Sequence, residues 1–291
     1  MRLLLSGVAL ALVMATPGYG APAATLHVGQ AVPVTIRGYH GDAMEPFLSA
    51  DGKYLFFNNR NDAGTDTNLY FARRVDDTTF SYGGAIAGAN SPALDAVASM
   101  DATDHFYFVS TRSYARTLAT IYRGTFRNGR ITDVSIVPGV SKAAPGWVDF
   151  DADVSPGGST LYFADGHYGP AGQLLAADLV IATKTPTGFS RLPDSARILA
   201  TVNTSALEYG AAISNDGLTL YFTRAPAPIG SGPPAIYVAT RRSPSSAFGP
   251  PTKLAGLTGF VEAPALAPDG HAIYFHELVG GKYVIYRAST T

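Results

Sequence analysis

Five acidic residues stand at comparable places in the sequence, each shortly ahead of an aromatic strand pattern. They are Glu45, Asp95, Asp149, Glu208 and Glu262. Carboxyls that converge from distant parts of a chain bind cations, or divide into a proton donor and a base. The alternative is structural: each acid pairs with an arginine such as Arg60, Arg112 or Arg224, or accepts backbone N–H bonds. Their distance from the following Tyr-Phe varies by up to two residues, so they need not form an even ring.

The segment around residues 147–168 departs from this pattern. Trp147 is the only tryptophan of the chain, and it is either a packing residue or a stacking platform for a sugar. Asp149, Asp151 and Asp153 follow at a spacing of two, which places all three on one face of a strand. Three like charges there need arginines, solvent or a divalent cation such as calcium, although no cofactor is required.

Histidines and arginines complete the set of candidate ligand-binding residues. The set consists of His40, Arg60, Arg112, Trp147, His167, Tyr168, Arg224 and His276. Imidazole beside carboxylates binds metal ions or acts as a general base. No pair of histidines has a recognised metal-binding spacing.

These residues are positioned by a repeat that occurs five times. Its clearest copy is the Ser-Asn-Asp-Gly-Leu-Thr-Leu-Tyr-Phe of residues 214–222, and related copies lie at 49–57, 99–108, 155–163 and 267–275. Asp-Gly between apolar runs is typical of a tight hairpin, because glycine accepts positive φ. A further strand pattern, such as the Ala-Ile-Tyr-Val-Ala of residues 235–239, follows each copy. A period of 50 to 59 residues with four strands is that of a propeller blade.

The repeat predicts an all-β, five-bladed β-propeller that is a single domain over residues 24–291. Blades are expected near residues 45–88, 89–140, 141–200, 201–255 and 256–291. The last blade lacks room for a fourth strand, and one unassigned strand lies near residues 31–37. We expect this N-terminal strand to join the last blade, because closure hides exposed strand edges.

The repeat resembles the WD-like propeller repeats of the TolB family and related periplasmic propellers. The Ser-Pro-Asp-Gly-x-x-Leu-Tyr-Phe phrase followed by Ile-Tyr-x-Ala carries the resemblance, and residues 203–242 are nearest to it. The resemblance implies the fold but not one function, because the family mixes protein-binding modules, enzyme-fused domains and sugar-active propellers. TolB itself has six blades and an additional N-terminal domain, so its role is not carried over.

The composition and the N-terminal sequence restrict the compartment of the protein and the partners that it can bind. Residues 1–23 have a positive start, an apolar run of about 13 residues and small residues after it, as in a signal peptide. The run is too short to span a bilayer, and the absence of cysteine excludes a lipid-modified cysteine. We therefore expect a periplasmic or secreted protein without a membrane span. The formal net charge of -1 gives no electrostatic footprint for nucleic acid.

Two functions remain open from the sequence. The first is a recognition module that binds a protein or glycan at the channel mouth, where the longer loops gather. The second is a hydrolase or lyase acting on a saccharide or another small molecule, with the five acids as its catalytic residues. Acids locked to arginines would favour the first function, and acids without such partners would favour the second.

Overall fold

A computed structural model describes residues 28–61 and 66–290 of the chain. The predicted signal peptide, residues 1–23, lies outside these residues. Strands dominate the described chain, and the two helices, α1 (Tyr114–Thr117) and α2 (Ser195–Ile198), have four residues each. The expectation of an almost entirely β chain is confirmed. In this part of the chain, no helix is long and apolar enough to cross a membrane.

The strands form antiparallel units of four, which we number one to five along the chain. Unit one contains β3 (Met44–Leu48), β4 (Tyr54–Asn58), β5 (Leu69–Arg74) and β6 (Thr79–Ala85). Unit two contains β7 (Asp95–Met100), β8 (His105–Ser110), β9 (Ile121–Arg127) and β10 (Arg130–Ile136). Unit three contains β11 (Trp147–Val154), β12 (Thr160–Tyr168), β13 (Leu174–Lys184) and β14 (Phe189–Arg191).

Units four and five complete the series. Unit four contains β15 (Leu207–Ile213), β16 (Thr219–Ala225), β17 (Ala235–Thr240) and β18 (Thr252–Lys253). Unit five contains β19 (Val261–Leu266), β20 (Ala272–Val279), β21 (Lys282–Ser289) and the early strand β1 (Val32–Pro33). Units three and four are joined by one parallel pair, Ala177 opposite Leu207.

The segment near residues 31–37 is two short strands rather than one. β1 pairs with β21, with Val32 opposite Arg287, and Val34 N–H donates to the Ile285 carbonyl oxygen at 2.8 Å. Next along the chain, β2 (Thr35–Arg37) runs parallel to β6 in unit one. The segment therefore bridges the last unit and the first.

The core lies between the units, not within them. Phe56 packs with unit two, whereas its neighbour Phe57 packs with unit five. In unit three, Tyr162 likewise belongs to the cluster shared with unit four and Phe163 to the cluster shared with unit two. Both faces of each second strand are thus buried. This explains why those strands read as continuous apolar runs instead of alternating with polar residues.

The first strands of the units lie closest to the common axis. Each contacts the first strands of the units before and after it, and β19 contacts β3. The short turns between first and second strands lie at one end of this axis, where Gly52 and Gly217 have φ of 69° and 71°. Residues at the start of the first strands therefore face the opposite, loop-rich end.

Candidate functional site

A β-bulge interrupts every first strand at an equivalent position. The strand register shifts there, and one residue has a left-handed backbone: Glu45, Val97, Asp151, Gly210 or Ala263, with φ of 51–59°. Only one of the five is glycine, although a side chain in this conformation is costly. Bulges re-aim side chains. They divide the acids of the first strands into two sets with different surroundings.

The first set lies two residues before the bulge and is held by arginines. Asp95 accepts from Arg112 Nη2 at 2.6 Å, and Glu208 accepts from Arg224 Nε at 2.6 Å. Both carboxyls are fully buried and also accept from nearby backbone and hydroxyl donors, at Ser91 and Thr204 respectively. Asp95 and Glu208 therefore have the structural role that the sequence left open as an alternative. The fold itself uses their hydrogen-bonding capacity.

Asp149 belongs to the same set but has an arginine from another strand. Arg191 of β14 donates to Asp149 at 3.0 Å and to Asp165 at 2.7 and 2.8 Å. Asp165 takes the place that Arg224 has in unit four, directly opposite the acid of the first strand. Burial, together with the nearby Asp165 carboxyl, raises the pKa of Asp149 to about 7. One guanidinium therefore holds two carboxyls.

The second set, which we call the acid cluster, consists of Glu45, Asp151 and Glu262. These carboxyls come from units one, three and five. Glu45 and Glu262 both act electrostatically on Asp151, and Glu262 acts on Glu45. Among the described residues, no arginine or lysine forms an ion pair with any of the three. The cluster therefore lacks the countercharge that the first set has.

Neutral and imidazole donors contact the acid cluster instead. Tyr209 Oη donates to Glu262 at 3.1 Å, and His276 Nε2 lies 3.4 Å from the other Glu262 oxygen. Asn61 Nδ2 donates to Glu45 Oε1 at 2.8 Å. Within the described part of the chain, the buried Glu45 Oε2 has no hydrogen-bond partner. Buried polar atoms in native proteins are usually paired, so this carboxyl is a candidate for contact with a ligand.

The tautomer of His276 follows from its contacts. Its Nδ1 accepts the Glu45 backbone N–H at 3.1 Å, so the neutral ring carries its proton on Nε2. Nε2 then points its N–H toward Glu262. The ring is fully buried, with Tyr283 edge-on at 5.4 Å.

Burial is the largest influence on the proton affinities of Glu45 and Asp151. It raises the pKa of Glu45 above its ordinary value, and burial with the Glu45 and Glu262 charges raises the pKa of Asp151 well above its usual range. Burial and the Glu262 charge raise the pKa of Tyr209 as well, so its phenol keeps the proton that it donates. A raised pKa favours the protonated form of a carboxyl, which is the form that general acid catalysis needs.

A cavity of about 110 Å³ runs along the axis from the acid cluster toward the short turns. We call it the channel. Glu45 and Asp151 line one end, and the exposed residues Ala50 and Asn215 line the other. Asp153 lies between them and accepts the Ile213 N–H at 3.0 Å. The sequence predicted a site at the loop-rich end alone, whereas this cavity extends to the short-turn end.

Asp149, Asp151 and Asp153 do not share one face. The bulge between Phe150 and Asp153 breaks the alternation on which that prediction relied. Asp149 faces Arg191, Asp151 faces the acid cluster, and Asp153 faces the channel. Within residues 28–61 and 66–290, no group of three acidic, histidine or cysteine residues is arranged to hold a metal ion.

The remaining ligand-binding candidates lie apart from the cluster, except for Tyr168. Burial with the charges of Asp151 and Glu45 raises the pKa of Tyr168 to about 12, which places its hydroxyl near the cluster. Trp147 stacks on His167 with centroids 4.8 Å apart, and Lys142 Nζ lies 3.0 Å from its ring centroid. Both faces of the Trp147 ring are therefore covered, because His167 and Lys142 would overlap if they lay on the same face.

His40 and Arg60 have other surroundings. His40 is exposed, and its carbonyl oxygen accepts from Lys282. Arg60 binds Asp42 through two hydrogen bonds of 3.1 and 3.2 Å, not Glu45. Arg60 Nη2 also donates to the Gly281 carbonyl oxygen of unit five at 2.6 Å, so Arg60 belongs to the contact between units one and five.

Sequence reasoning missed Tyr209, Asn61 and Arg191. Tyr209 and Asn61 sit at positions whose residue type differs among the units, so no repeat marks them. The spacing of the acids does not mark the second set either. Glu45 and Asp95 both lie 6 residues before the turn aspartates Asp51 and Asp101, yet they belong to different sets.

Comparisons with known proteins identify the architecture. No family model matches the chain, and no curated protein matches it. Among solved structures, a glycoside hydrolase is similar with a TM-score of 0.59 at 12% identity, covering 92% of this chain and 91% of that chain. The catalytic domain of the Coprinopsis cinerea family 62 α-L-arabinofuranosidase gives 0.57 at 11% identity, covering 92% and 98%.

The chain is a β-propeller. TolB from Acinetobacter baumannii is also similar, with a TM-score of 0.48 at 13% identity, covering 91% of this chain and 63% of TolB. At these identities the likeness of the propeller to its neighbours concerns the fold alone. Function must be argued from the site.

Proposed function

We propose that this propeller is an exported enzyme that hydrolyses glycosidic bonds with the carboxyls of the acid cluster. The observation that carries the proposal is the meeting of Glu45, Asp151 and Glu262, from three units, without an arginine or lysine partner among the described residues. Buried like charges without countercharge destabilise a fold, and such arrangements occur mainly at functional sites.

The proposal includes a closed ring of five blades. The contact of β19 with β3, the pairing of β1 with β21 and the hydrophobic cluster shared by units five and one all support it. In a closed ring the three carboxyls meet at the hub. Export through the signal peptide of residues 1–23 would place the enzyme in the periplasm or outside the cell.

The contacts suggest different roles for the carboxyls. Glu262, which accepts from Tyr209 and has one oxygen 3.4 Å from His276 Nε2, is assigned the carboxylate role, as base or nucleophile. Glu45, whose Oε2 has no partner among the described residues and whose pKa burial raises, is assigned the role of proton donor. Asp151 is close enough to interact electrostatically with both. A proton donor and a carboxylate are the two groups that glycoside hydrolysis needs.

The fold is compatible with this chemistry. Two of its structural neighbours are a glycoside hydrolase and a family 62 arabinofuranosidase. A saccharide would approach from the loop-rich end, where Tyr168 reaches the cluster and Trp147 lies on the rim. Lys142 would have to leave the Trp147 ring before a sugar could stack there.

The test is a screen of the purified protein against oligosaccharides, with release of reducing ends as the readout. Glu45→Gln and Glu262→Gln should each lower kcat by at least about 100-fold, the loss typical of a missing acid or base. Glu277→Gln is the matched control, because it makes the same change on the neighbouring strand outside the cluster. Equal activity of all three variants would refute the proposal.

Recognition of a protein or glycan without chemistry is the second candidate function. It is favoured by the arginine pairs of Asp95, Asp149 and Glu208, which make three of the five predicted acids structural. The small channel supports it too, because ligand pockets usually measure about 300–1,000 Å³. Under this function, Glu45→Gln and Glu262→Gln would leave the affinity for a captured ligand unchanged, and no substrate would be cleaved.

A further inference from the structure

The channel contains polar groups that the protein does not satisfy. Ser99 is 1% exposed and lines the cavity, and its Oγ has no partner among the described residues. Glu45 Oε2, at the cluster end, is in the same condition. An unpaired buried hydroxyl or carboxyl oxygen destabilises the fold, and native proteins usually satisfy such atoms with a protein group or with ordered water.

The remaining walls do not compensate for these groups. They are mostly apolar and come from the first strands, as at Ala98, Ala212 and Ala265. Purely apolar cavities stay dry, whereas cavities with two or more polar partners per water are hydrated. Ser99, Glu45, Asp151 and Asp153 supply such partners along the whole length of this cavity.

We propose that the channel is a hydrated path that carries water and protons between the short-turn end and the acid cluster, with Asp153 as its intermediate proton carrier. Asp153 is half-buried between the exposed turn residues and the cluster. Its Oδ2 accepts one backbone N–H, which leaves the carboxyl free to exchange a proton with water. Burial also raises the pKa of Asp153 to about 7, so both of its protonation states are populated near neutral pH.

The path would serve the proposed function by resetting the cluster. When Glu262 acts as the base, one hydrolysis leaves the proton donor without its proton and the base with one additional proton. The path returns one proton to the donor and removes one from the base, so there is no net change. This use rests on the proposed function, but the path itself does not.

The test measures exchange on the resting protein, with no substrate present. Infrared difference spectra after transfer to D2O report the exchange of buried carboxyl protons, and Glu45→Gln and Asp151→Asn assign the bands. Asp153→Asn, which is nearly isosteric, removes the proton carrier. Ala212→Leu and Ala265→Leu fill the cavity, and Ala85→Leu on the exposed edge of β6 is the matched control.

We expect Asp153→Asn and the two filling variants to slow exchange at the cluster by at least tenfold, with Ala85→Leu unchanged. Circular dichroism melts verify that each variant is folded. If a filling variant does not fold, Asp153→Asn decides. Exchange as fast as in the wild type in the folded variants would overturn the path, because the cluster would then reach solvent from the loop-rich end. Inactive protein with channel-dependent exchange would refute the enzyme and keep the path.

Discussion

The imidazole of His276 accepts the backbone N–H of Glu45 at 3.1 Å, across 231 residues of sequence. Asn58 and Thr223 make the same contact elsewhere, since Asn58 Oδ1 accepts Val97 N–H and Thr223 Oγ1 accepts Ala263 N–H. In each case the end of one unit's second strand satisfies the bulge of the next unit. At the boundary between units five and one, His276 thus accepts the hydrogen bond that an amide or a hydroxyl oxygen accepts at other boundaries.

Replacing His276 should distinguish this structural role from catalysis. His276→Phe leaves the Glu45 N–H buried without an acceptor, so we expect a loss of about 1–3 kcal/mol in the free energy of unfolding. His276→Asn retains an acceptor of the kind found at Asn58 and should lose less. Urea unfolding measures both. If the two variants lose the same stability, the hydrogen bond is not the reason for the histidine.

Asp153 should make stability depend on pH. Its pKa is raised from 3.8 to about 7, so the native state binds this proton more tightly than the unfolded state. The resulting stabilisation is complete below pH 3.8 and is lost as the pH rises to about 7, with an upper limit of about 4 kcal/mol. Asp153→Asn cannot release a proton, so its stability relative to the wild type should rise across this window. Unfolding at pH 4 and pH 8 tests this, and a difference that does not change with pH would contradict it.

Arg224 should be far more important to stability than its surface counterparts. Arg224→Met leaves the fully buried Glu208 without its cation, and breaking a buried ion pair costs about 3–5 kcal/mol. Arg197→Met removes an exposed pair with Asp194 and should change stability by less than about 1 kcal/mol. Adding Glu208→Gln to Arg224→Met should recover part of the loss. Thermal or urea unfolding of the four proteins provides the comparison.

Trp147 provides a direct probe of ligand binding at the rim. If a saccharide stacks on this ring, it must displace Lys142, so the emission of the only tryptophan should change on titration. Trp147→Ala should weaken binding by at least about tenfold, the upper part of the range expected for aromatic contacts. Lys142→Met exposes the ring without removing it and should not weaken binding. Unchanged affinity in Trp147→Ala would make this residue a packing group.

The repeat predicted the strands well because its physical basis is strong. Both faces of the second strands are buried, so each copy retains an apolar run after its tight turn, and the turn is Asp-Gly in three of the five copies. The fourth strands were harder to place, because β14 and β18 have three and two residues and little pattern of their own. The early strand was predicted as one element, whereas its residues divide between two sheets.

All five acids lie in the first strands of the units, but the sequence could not sort them into the two sets. A β-bulge adds one residue without a compositional signature, and it decides whether a carboxyl faces an arginine or the axis. Glu45 and Asp151 occupy the bulge itself, where only glycine would have been easy to foresee. Arg191 was not predicted because it reaches Asp149 from β14, 42 residues later.

Because every hydrophobic cluster is shared by two neighbouring units, no unit has an interior of its own. A fragment of one or two units would expose apolar faces on both sides, so its folding would gain little from burial and its surface would invite aggregation. Folding should therefore be all-or-none across the chain. Loosening one boundary by mutation should weaken the remaining boundaries as well, instead of releasing one unit by itself.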